Sequence, residues 1–171
     1  MIDYQLLKLV RRFLRDIFSS FSSRKVFSTK GKDKEWYLMK HKSTKERMPF
    51  YEEVYSKIFD GFKEATVIDL GAGINGLSYE FFPKRSRINY VGVEAIGQFT
   101  DLMNEFFEKE IIKGSALHFS IFDLEKVKKT IEETKKPKIV FLFKVVDSLE
   151  AVKRDYSKEL LLEITPLVDR V

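Results

Sequence analysis

Apolar and polar positions divide the chain into a short arm and a longer body. In residues 2–18, apolar side chains recur at helical spacing and basic side chains fall mostly on the other faces, which predicts an amphipathic helix. Residues 19–34 are rich in Ser, Lys and Gly, which indicates a linker or loop. The pattern therefore predicts an appendage over residues 1–34 and one domain over residues 35–171.

Within the body, short apolar runs alternate with amphipathic stretches. This alternation is typical of a doubly wound, Rossmann-like, mainly parallel α/β sheet with right-handed crossovers. The fourth predicted strand is apolar apart from Lys138 and Lys144, as expected at the centre of a parallel sheet. The predicted strands are Ala65–Leu70, Ile88–Ala95, Ala116–Phe122 and Lys138–Val145, with a fifth expected to begin within Leu167–Val171. The predicted helices are one from Ser43 or Thr44 to about Gly61, then Leu77–Phe82, Phe99–Glu110, Leu124–Thr134 and Ser148–Ile164.

Composition excludes several kinds of site. The 171 residues include no cysteine and two histidines, so disulfides and thiolate metal sites are excluded and a histidine-based metal centre is not expected. No segment has the apolar length needed to span a bilayer, and no signal peptide is evident. The absence of cysteine suits a reducing compartment, and we expect a cytoplasmic protein.

The basic excess lies in the N-terminal quarter. Residues 1–47 hold 13 Lys and Arg against 5 Asp and Glu, whereas residues 48–171 hold 18 against 21. A basic arm on a nearly neutral body suggests a polyanionic partner, either nucleic acid or an anionic membrane surface; a solvated, solubilising tail is the alternative. The candidate RNA-binding side chains, which would contact phosphates, are Lys8, Arg11, Arg12, Arg15, Arg24 and Lys25.

A glycine-rich turn follows the first predicted strand. The segment Asp69–Gly76 reads Asp-Leu-Gly-Ala-Gly-Ile-Asn-Gly. Glycines let the backbone approach a ligand closely, and the following helix presents N–H groups. Because the acid precedes the glycines, the segment resembles motif I of the S-adenosylmethionine (AdoMet)-dependent methyltransferases and not the NAD-type fingerprint. A turn that binds no ligand is the alternative.

Three acids and one lysine stand at the predicted carboxyl ends of successive strands: Asp69, Glu94, Asp123 and Lys144. In a doubly wound sheet, ligands bind beyond these ends. Glu94 follows Asp69 at about the offset at which an acid accepts the ribose hydroxyls, and Asp123 is placed to accept a hydrogen bond from an adenine amino group. Each acid has an alternative role as a helix N-cap or a surface group.

The segment His41-Lys42-Ser43-Thr44-Lys45-Glu46-Arg47 narrows the class. It resembles the signature of the 16S ribosomal RNA guanine-N7 methyltransferases of the aminoglycoside-resistance type. The resemblance continues through Asp69–Asn75 and Leu142–Val146. It covers about residues 36–171 discontinuously and implies a class I methyltransferase core that ends before the family's last strands. A capping box with a solvated basic face is the alternative for His41–Arg47.

The resemblance implies AdoMet as cofactor and a specific set of contacts; no metal is expected, on the composition given above. Arg47 would bind the AdoMet carboxylate, a geometry suited to a bidentate pair. Glu94 would hold the ribose, and Asp123 with Leu124 would frame the adenine. Phe143 and Lys144 would border the reaction site, with Lys144 the candidate catalytic side chain. The remaining implied cofactor-binding residues are His41, Lys42, Ser43, Asp69, Gly71, Ala72 and Gly73.

The chemistry expected is methylation of a guanine N7 in ribosomal RNA of the small subunit. That nitrogen carries a lone pair and no proton, so transfer needs in-line placement and no general base. The chain lacks the Asn/Asp-Pro-Pro-Tyr element used on exocyclic amines and the cysteine of covalent C5 methylation. Two alternatives stay open: a methyltransferase acting on a small molecule or protein, and a non-catalytic module that binds RNA or a membrane on a degenerate methyltransferase scaffold.

Overall fold

A computed structural model describes residues 3–9, 11–12, 31–84 and 86–171 of the chain. The chain divides into two compact units, Met1–Met48 and Pro49–Val171. Below, these are the first and the second unit.

The described residues of the first unit are mostly helical. Residues 4–9 and 11–12 are helical and mostly exposed, in agreement with the predicted arm helix, whose remaining positions lie outside the described residues. Helix α1 (Lys34–Lys40) begins where the Asp33 carboxylate accepts the Trp36 amide N–H over 2.8 Å. Helix α2 (Lys42–Arg47) follows directly.

The helix predicted to begin at Ser43 or Thr44 begins at Lys42, so neither residue is its N-cap. His41 occupies the N-cap position of α2, and its side chain makes no capping hydrogen bond. The Thr44 hydroxyl instead donates backwards, to the Leu38 carbonyl over 2.7 Å and the His41 carbonyl over 3.0 Å. Ser43 and Thr44 both lie inside α2 and are buried.

The second unit confirms the predicted doubly wound α/β sheet. Its four strands run parallel in the order β3-β2-β1-β4, with helices between them in sequence. The strands are β1 (Glu64–Leu70), β2 (Arg87–Glu94), β3 (Gly114–His118) and β4 (Lys138–Phe141). The helices are α3 (Tyr51–Ile58), α4 (Gly97–Lys109), α5 (Leu124–Glu133), α6 (Val146–Val152) and α7 (Tyr156–Ile164), with 3-10 turns at Met48–Phe50, Asn75–Phe81 and Thr165–Leu167.

Strands β1 and β4 are buried on both faces, although β4 lies at the end of the strand order and not at the centre of the sheet, where the sequence places it. Every residue of β4 is buried, and so is every residue of β1 after Glu64. Strand β3, at the other end of the order, has one buried residue, Ala116, and the others are half-buried or exposed. This contrast is expected when helices cover both faces of a parallel sheet.

Two predicted strands are too long. β3 ends at His118 and not at Phe122, and β4 ends at Phe141 and not at Val145. Lys144 has a left-handed backbone (φ 57°), which an extended strand cannot contain. Of the expected fifth strand, the structure shows one parallel bridge, between Ile139 and Arg170.

The predicted helix Ser148–Ile164 is two helices. The chain turns after α6, and Asp155 is left-handed (φ 61°) immediately before α7. The Glu150 carboxylate accepts the Asp155 and Ser157 amide N–H groups over 2.8 and 2.9 Å, so it satisfies the first amides of the second helix. No glycine or proline marks the break in the sequence.

Candidate functional site

The glycine-rich turn leaves β1 with two left-handed glycines. Gly71 has φ 70° and Gly73 has φ 56°. The Gly71 and Ala72 amides donate to the Val93 carbonyl over 2.9 and 3.0 Å, which ties the turn to the end of β2. A Cβ atom on Gly71 would lie 2.5 Å from Cγ2 of Val145, so the close packing excludes a side chain there.

The Glu94 carboxylate joins the end of β2 to this turn. One oxygen accepts the Gly73 amide N–H over 2.8 Å, and the other accepts the Ile96 amide N–H over 2.9 Å. Burial raises the pKa of Glu94, and the backbone hydrogen bonds oppose that shift. Each carboxylate oxygen has a second lone pair, so the group can still accept ligand hydroxyls.

The Asp69 carboxylate lies beneath the turn. It is 1% exposed, and its Oδ2 accepts hydrogen bonds from Asn75 Nδ2 over 2.8 Å and from the Tyr90 hydroxyl over 2.7 Å. Burial, with the neighbouring Asp69 charge, raises the pKa of Tyr90 well above its usual value, so this hydroxyl stays a donor. Asp69 therefore supports the turn from inside the core.

Sequence reasoning missed the rest of this buried network. Asn75 Oδ1 accepts the Tyr51 hydroxyl over 2.9 Å and the Tyr55 hydroxyl over 3.4 Å. The Tyr55 and Ser78 hydroxyls are 2.7 Å apart. The available signal is weak: two tyrosines four positions apart on one face of α3, and an asparagine inside the glycine-rich segment.

Asp123 stands at the start of α5 and not at the end of a strand. Its Oδ1 accepts the Lys126 amide N–H over 3.2 Å, an N-cap bond, and its side chain is exposed. Leu124, the first residue of α5, is half-buried. Loop 119–123, which carries Asp123, follows β3 on the side of the sheet where the carboxyl ends of the strands lie.

The loop after β4 carries Phe143 and Lys144. The Phe143 ring packs against Phe141, with ring centroids 4.7 Å apart. Lys144 is exposed in its left-handed conformation, and the next residue, Val145, packs against Gly71. The structure therefore brings together the turn after β1, Glu94 at the end of β2 and the loop after β4.

The first unit holds the other candidate contacts. His41 and Ser43 are buried, whereas Lys42 is exposed. Arg47 donates from Nη1 to the Ser43 hydroxyl over 2.5 Å. Burial, and after it the charge of Arg47, lowers the pKa of His41 to about 4, so its imidazole is neutral at pH 7.

The candidate phosphate-binding residues are only partly described. Lys8, Arg11 and Arg12 are exposed, and Lys8 Nζ lies 5.6 Å from the centre of the Tyr4 ring. The other three, Arg15, Arg24 and Lys25, lie outside the described residues.

Within the described ranges, no group of three or more His, Cys, Asp or Glu side chains could hold a metal ion. Among the helices of the same ranges, none is long and apolar enough to cross a membrane.

No protein-family model matches the sequence, and no curated protein sequence matches it. Solved structures do resemble the fold. The 16S rRNA methylase RmtB has a TM-score of 0.75 at 18% identity, over 95% of this chain and 66% of that chain. The 16S rRNA methylase ArmA has a TM-score of 0.62 at 19% identity, over 85% of this chain and 69% of that chain. WbdD, solved with a kinase inhibitor, has a TM-score of 0.51 at 15% identity, over 72% of this chain and 27% of that chain.

The fold is that of the class I methyltransferases. It is a Rossmann-like α/β fold with a parallel sheet flanked by helices. At these identities the likeness defines the fold alone. The chain spans 66% of the length of RmtB and 69% of the length of ArmA.

Proposed function

We propose that this chain binds AdoMet and transfers its methyl group to RNA, with a guanine N7 of ribosomal RNA as the acceptor. The observation that carries the proposal is the contact between Glu94 and the glycine-rich turn at the edge where the strands end. In folds of this kind a nucleotide ligand binds at that edge, and an acid after the second strand accepts the ribose hydroxyls.

The residues of the second unit fit the adenosine part of AdoMet. Glu94 offers two carboxylate oxygens with further lone pairs, and the turn has no side chain at Gly71 and Gly73. Asp123 is exposed and uses one oxygen for its cap, so its other oxygen is available for an adenine amino group. Leu124 beside it provides an apolar contact for the ring.

The contacts proposed for the methionine end of AdoMet come from the sequence resemblance. Arg47 would bind the carboxylate, with His41, Lys42 and Ser43 as the neighbouring contacts. The depressed pKa of His41 keeps that imidazole neutral at pH 7, so it adds no charge to this group. The planar guanidinium of Arg47 suits a carboxylate because it can donate two parallel hydrogen bonds.

The proposed transfer needs little of the protein. Bound AdoMet would supply an electrophilic methyl group on its sulfonium. The lone pair of guanine N7 would form the new N–C bond as the S–C bond breaks, with S-adenosylhomocysteine as the leaving group. The protein orients the two and excludes water. Phe143 and Lys144 border the acceptor side in the proposal, where an aromatic ring can stack on a base and an ammonium can contact phosphate.

RNA as the acceptor is supported by the charge of the arm. Lys8, Arg11 and Arg12 are exposed cations in a segment with a net positive charge. Such groups contribute affinity that is independent of nucleotide sequence and falls as salt is added.

Calorimetry with AdoMet tests cofactor binding. We expect the wild type to bind, Glu94→Ala to bind much more weakly, and Glu108→Ala, which removes an exposed carboxylate on α4, to bind as the wild type does. Asp123→Ser keeps a capping oxygen and removes the carboxylate, so a loss of affinity in this variant reports on the ligand and not on the helix.

Transfer of tritiated methyl groups to small ribosomal subunits, free ribosomal RNA, protein and small amines tests the acceptor. The expected product after nuclease digestion is 7-methylguanosine. A different methylated nucleoside would refute the proposed chemistry, and label only in protein or small molecules would refute RNA as substrate. AdoMet binding without transfer to any acceptor would favour the non-catalytic alternative.

A further inference from the structure

Tyr156, which sequence reasoning did not single out, holds the loop after β3. It is the first residue of α7 and 2% exposed. Its hydroxyl donates to the Ile121 carbonyl over 2.6 Å. Its ring also packs against Phe122, with centroids 4.6 Å apart and an angle of 35° between the planes. Loop 119–123 is therefore fixed at two adjacent residues by one side chain from another part of the chain.

Ile121 connects this loop to the glycine-rich turn. Its side chain is buried in the same apolar cluster as Val145 and Tyr156. A Cβ atom built on Gly71 would lie 3.9 Å from Cδ1 of Ile121 and 2.5 Å from Cγ2 of Val145. The loops after β1, β3 and β4 therefore meet at Gly71.

We propose that Tyr156 is a positioning residue for the adenosine end of the cofactor, acting through Ile121 on Asp123 two residues further on. This inference rests on the proposed function. The Ile121 carbonyl is buried at this hydrogen bond, so losing the Tyr156 hydroxyl leaves it without its donor and releases the loop. A looser loop holds Asp123 less firmly against an adenine.

Tyr156→Phe is the appropriate variant because it removes one oxygen and keeps the ring between Phe122 and the core. Tyr79→Phe is the matched control. The Tyr79 hydroxyl also donates to a backbone carbonyl, that of Ile88. Ile88 lies near the amino end of β2, whereas the proposed site lies at the carboxyl ends of the strands. Both variants lose a phenol-to-carbonyl hydrogen bond, and only one of them lies beside loop 119–123.

Calorimetry should give a dissociation constant for AdoMet about 5- to 10-fold larger in Tyr156→Phe, the effect of one net hydrogen bond, and unchanged in Tyr79→Phe. S-adenosylhomocysteine and its inosine counterpart, which lacks the adenine amino group, provide a second readout. The wild type should prefer the adenine form, and Tyr156→Phe should lose much of that preference. In hydrogen exchange, amides 119–124 should exchange faster in Tyr156→Phe than in Tyr79→Phe.

If the wild type binds AdoMet and Tyr156→Phe binds it with the same affinity, the role of Tyr156 is overturned and the proposed function stands. An unchanged preference for adenine over hypoxanthine, or unchanged exchange at 119–124 despite weaker binding, would overturn it as well. Absence of AdoMet binding by the wild type would overturn the proposed function and this role with it.

Discussion

Glu94 accepts a hydrogen bond from the backbone amide of Gly73 over 2.8 Å. The two residues are 21 positions apart, and the bond joins the end of β2 to the turn that leaves β1. It places a carboxylate with a raised pKa at the centre of the proposed adenosine site.

Glu94→Gln should change how stability depends on pH. Because burial raises the pKa of Glu94 above its value of 4.5 in the unfolded chain, the folded protein favours the protonated acid. The stability contributed by this group is fully present below the unfolded pKa and is lost as pH rises through the folded pKa. The wild type should therefore lose stability relative to Glu94→Gln as pH rises from about 4.5. Urea unfolding of both proteins from pH 4 to pH 8 measures this, and a difference that is constant with pH would contradict it.

Gly71→Ala should be destabilising for two reasons that can be separated. A left-handed alanine costs about 1–2 kcal/mol, and overpacking against Val145 adds about 1–3 kcal/mol. Gly61→Ala is the control for the first, since Gly61 has φ 84° and a Cβ there would meet no atom within 4 Å. In a double-mutant cycle, Val145→Ala should reduce the cost of Gly71→Ala. Additive free energies of unfolding would show that the Val145 contact does not matter.

Asn104→Ala should expose the outer edge of the sheet. The Asn104 side chain accepts the Ala116 amide N–H over 2.7 Å and donates to the Ala116 carbonyl over 3.0 Å, as a neighbouring strand would do. Among the described strands, β3 pairs with β2 alone. Removing the amide should cost about 1–3 kcal/mol and promote self-association through the edge.

Sedimentation and urea unfolding over a range of concentrations test this prediction. Asn104→Asp keeps the acceptor and loses the donor, so its loss of stability should be intermediate. A monomeric Asn104→Ala of wild-type stability would argue that the pairing has no role in either property.

Lys144→Gly and Ile111→Gly should separate stability from activity. Both residues are exposed and left-handed, with φ 57° and 54°. Glycine should relieve about 1–2 kcal/mol of backbone strain. It should also cost about 0.5–1 kcal/mol because it makes the unfolded chain more flexible. Ile111 lies between α4 and β3, away from the proposed acceptor side, and its substitution should leave methyl transfer unchanged. Lys144→Gly should lower it. Thermal unfolding and transfer assays on both variants provide the comparison, and equal transfer rates would remove Lys144 from the proposed site.

Much of the fold could be predicted because its signals are local. The strand before Gly71, the acid at Glu94 and the alternation of strands and helices all depend on neighbouring residues in the sequence. Element ends were less accurate, since the left-handed backbone at Lys144 and the break before Asp155 occur without glycine or proline. In both places the surrounding packing overrides the local preference.

By itself, the sequence determined the class of fold and the position of the glycine-rich turn after β1. Only the tertiary structure decided what holds that turn and its neighbouring loops: Tyr90 on Asp69, Tyr156 on Ile121, and Val145 against Gly71. These contacts join residues 21, 35 and 74 positions apart, and a side chain at such a distance leaves no periodic trace in the sequence. Their partners are set by strand order and helix packing, which exist only after the sheet has assembled.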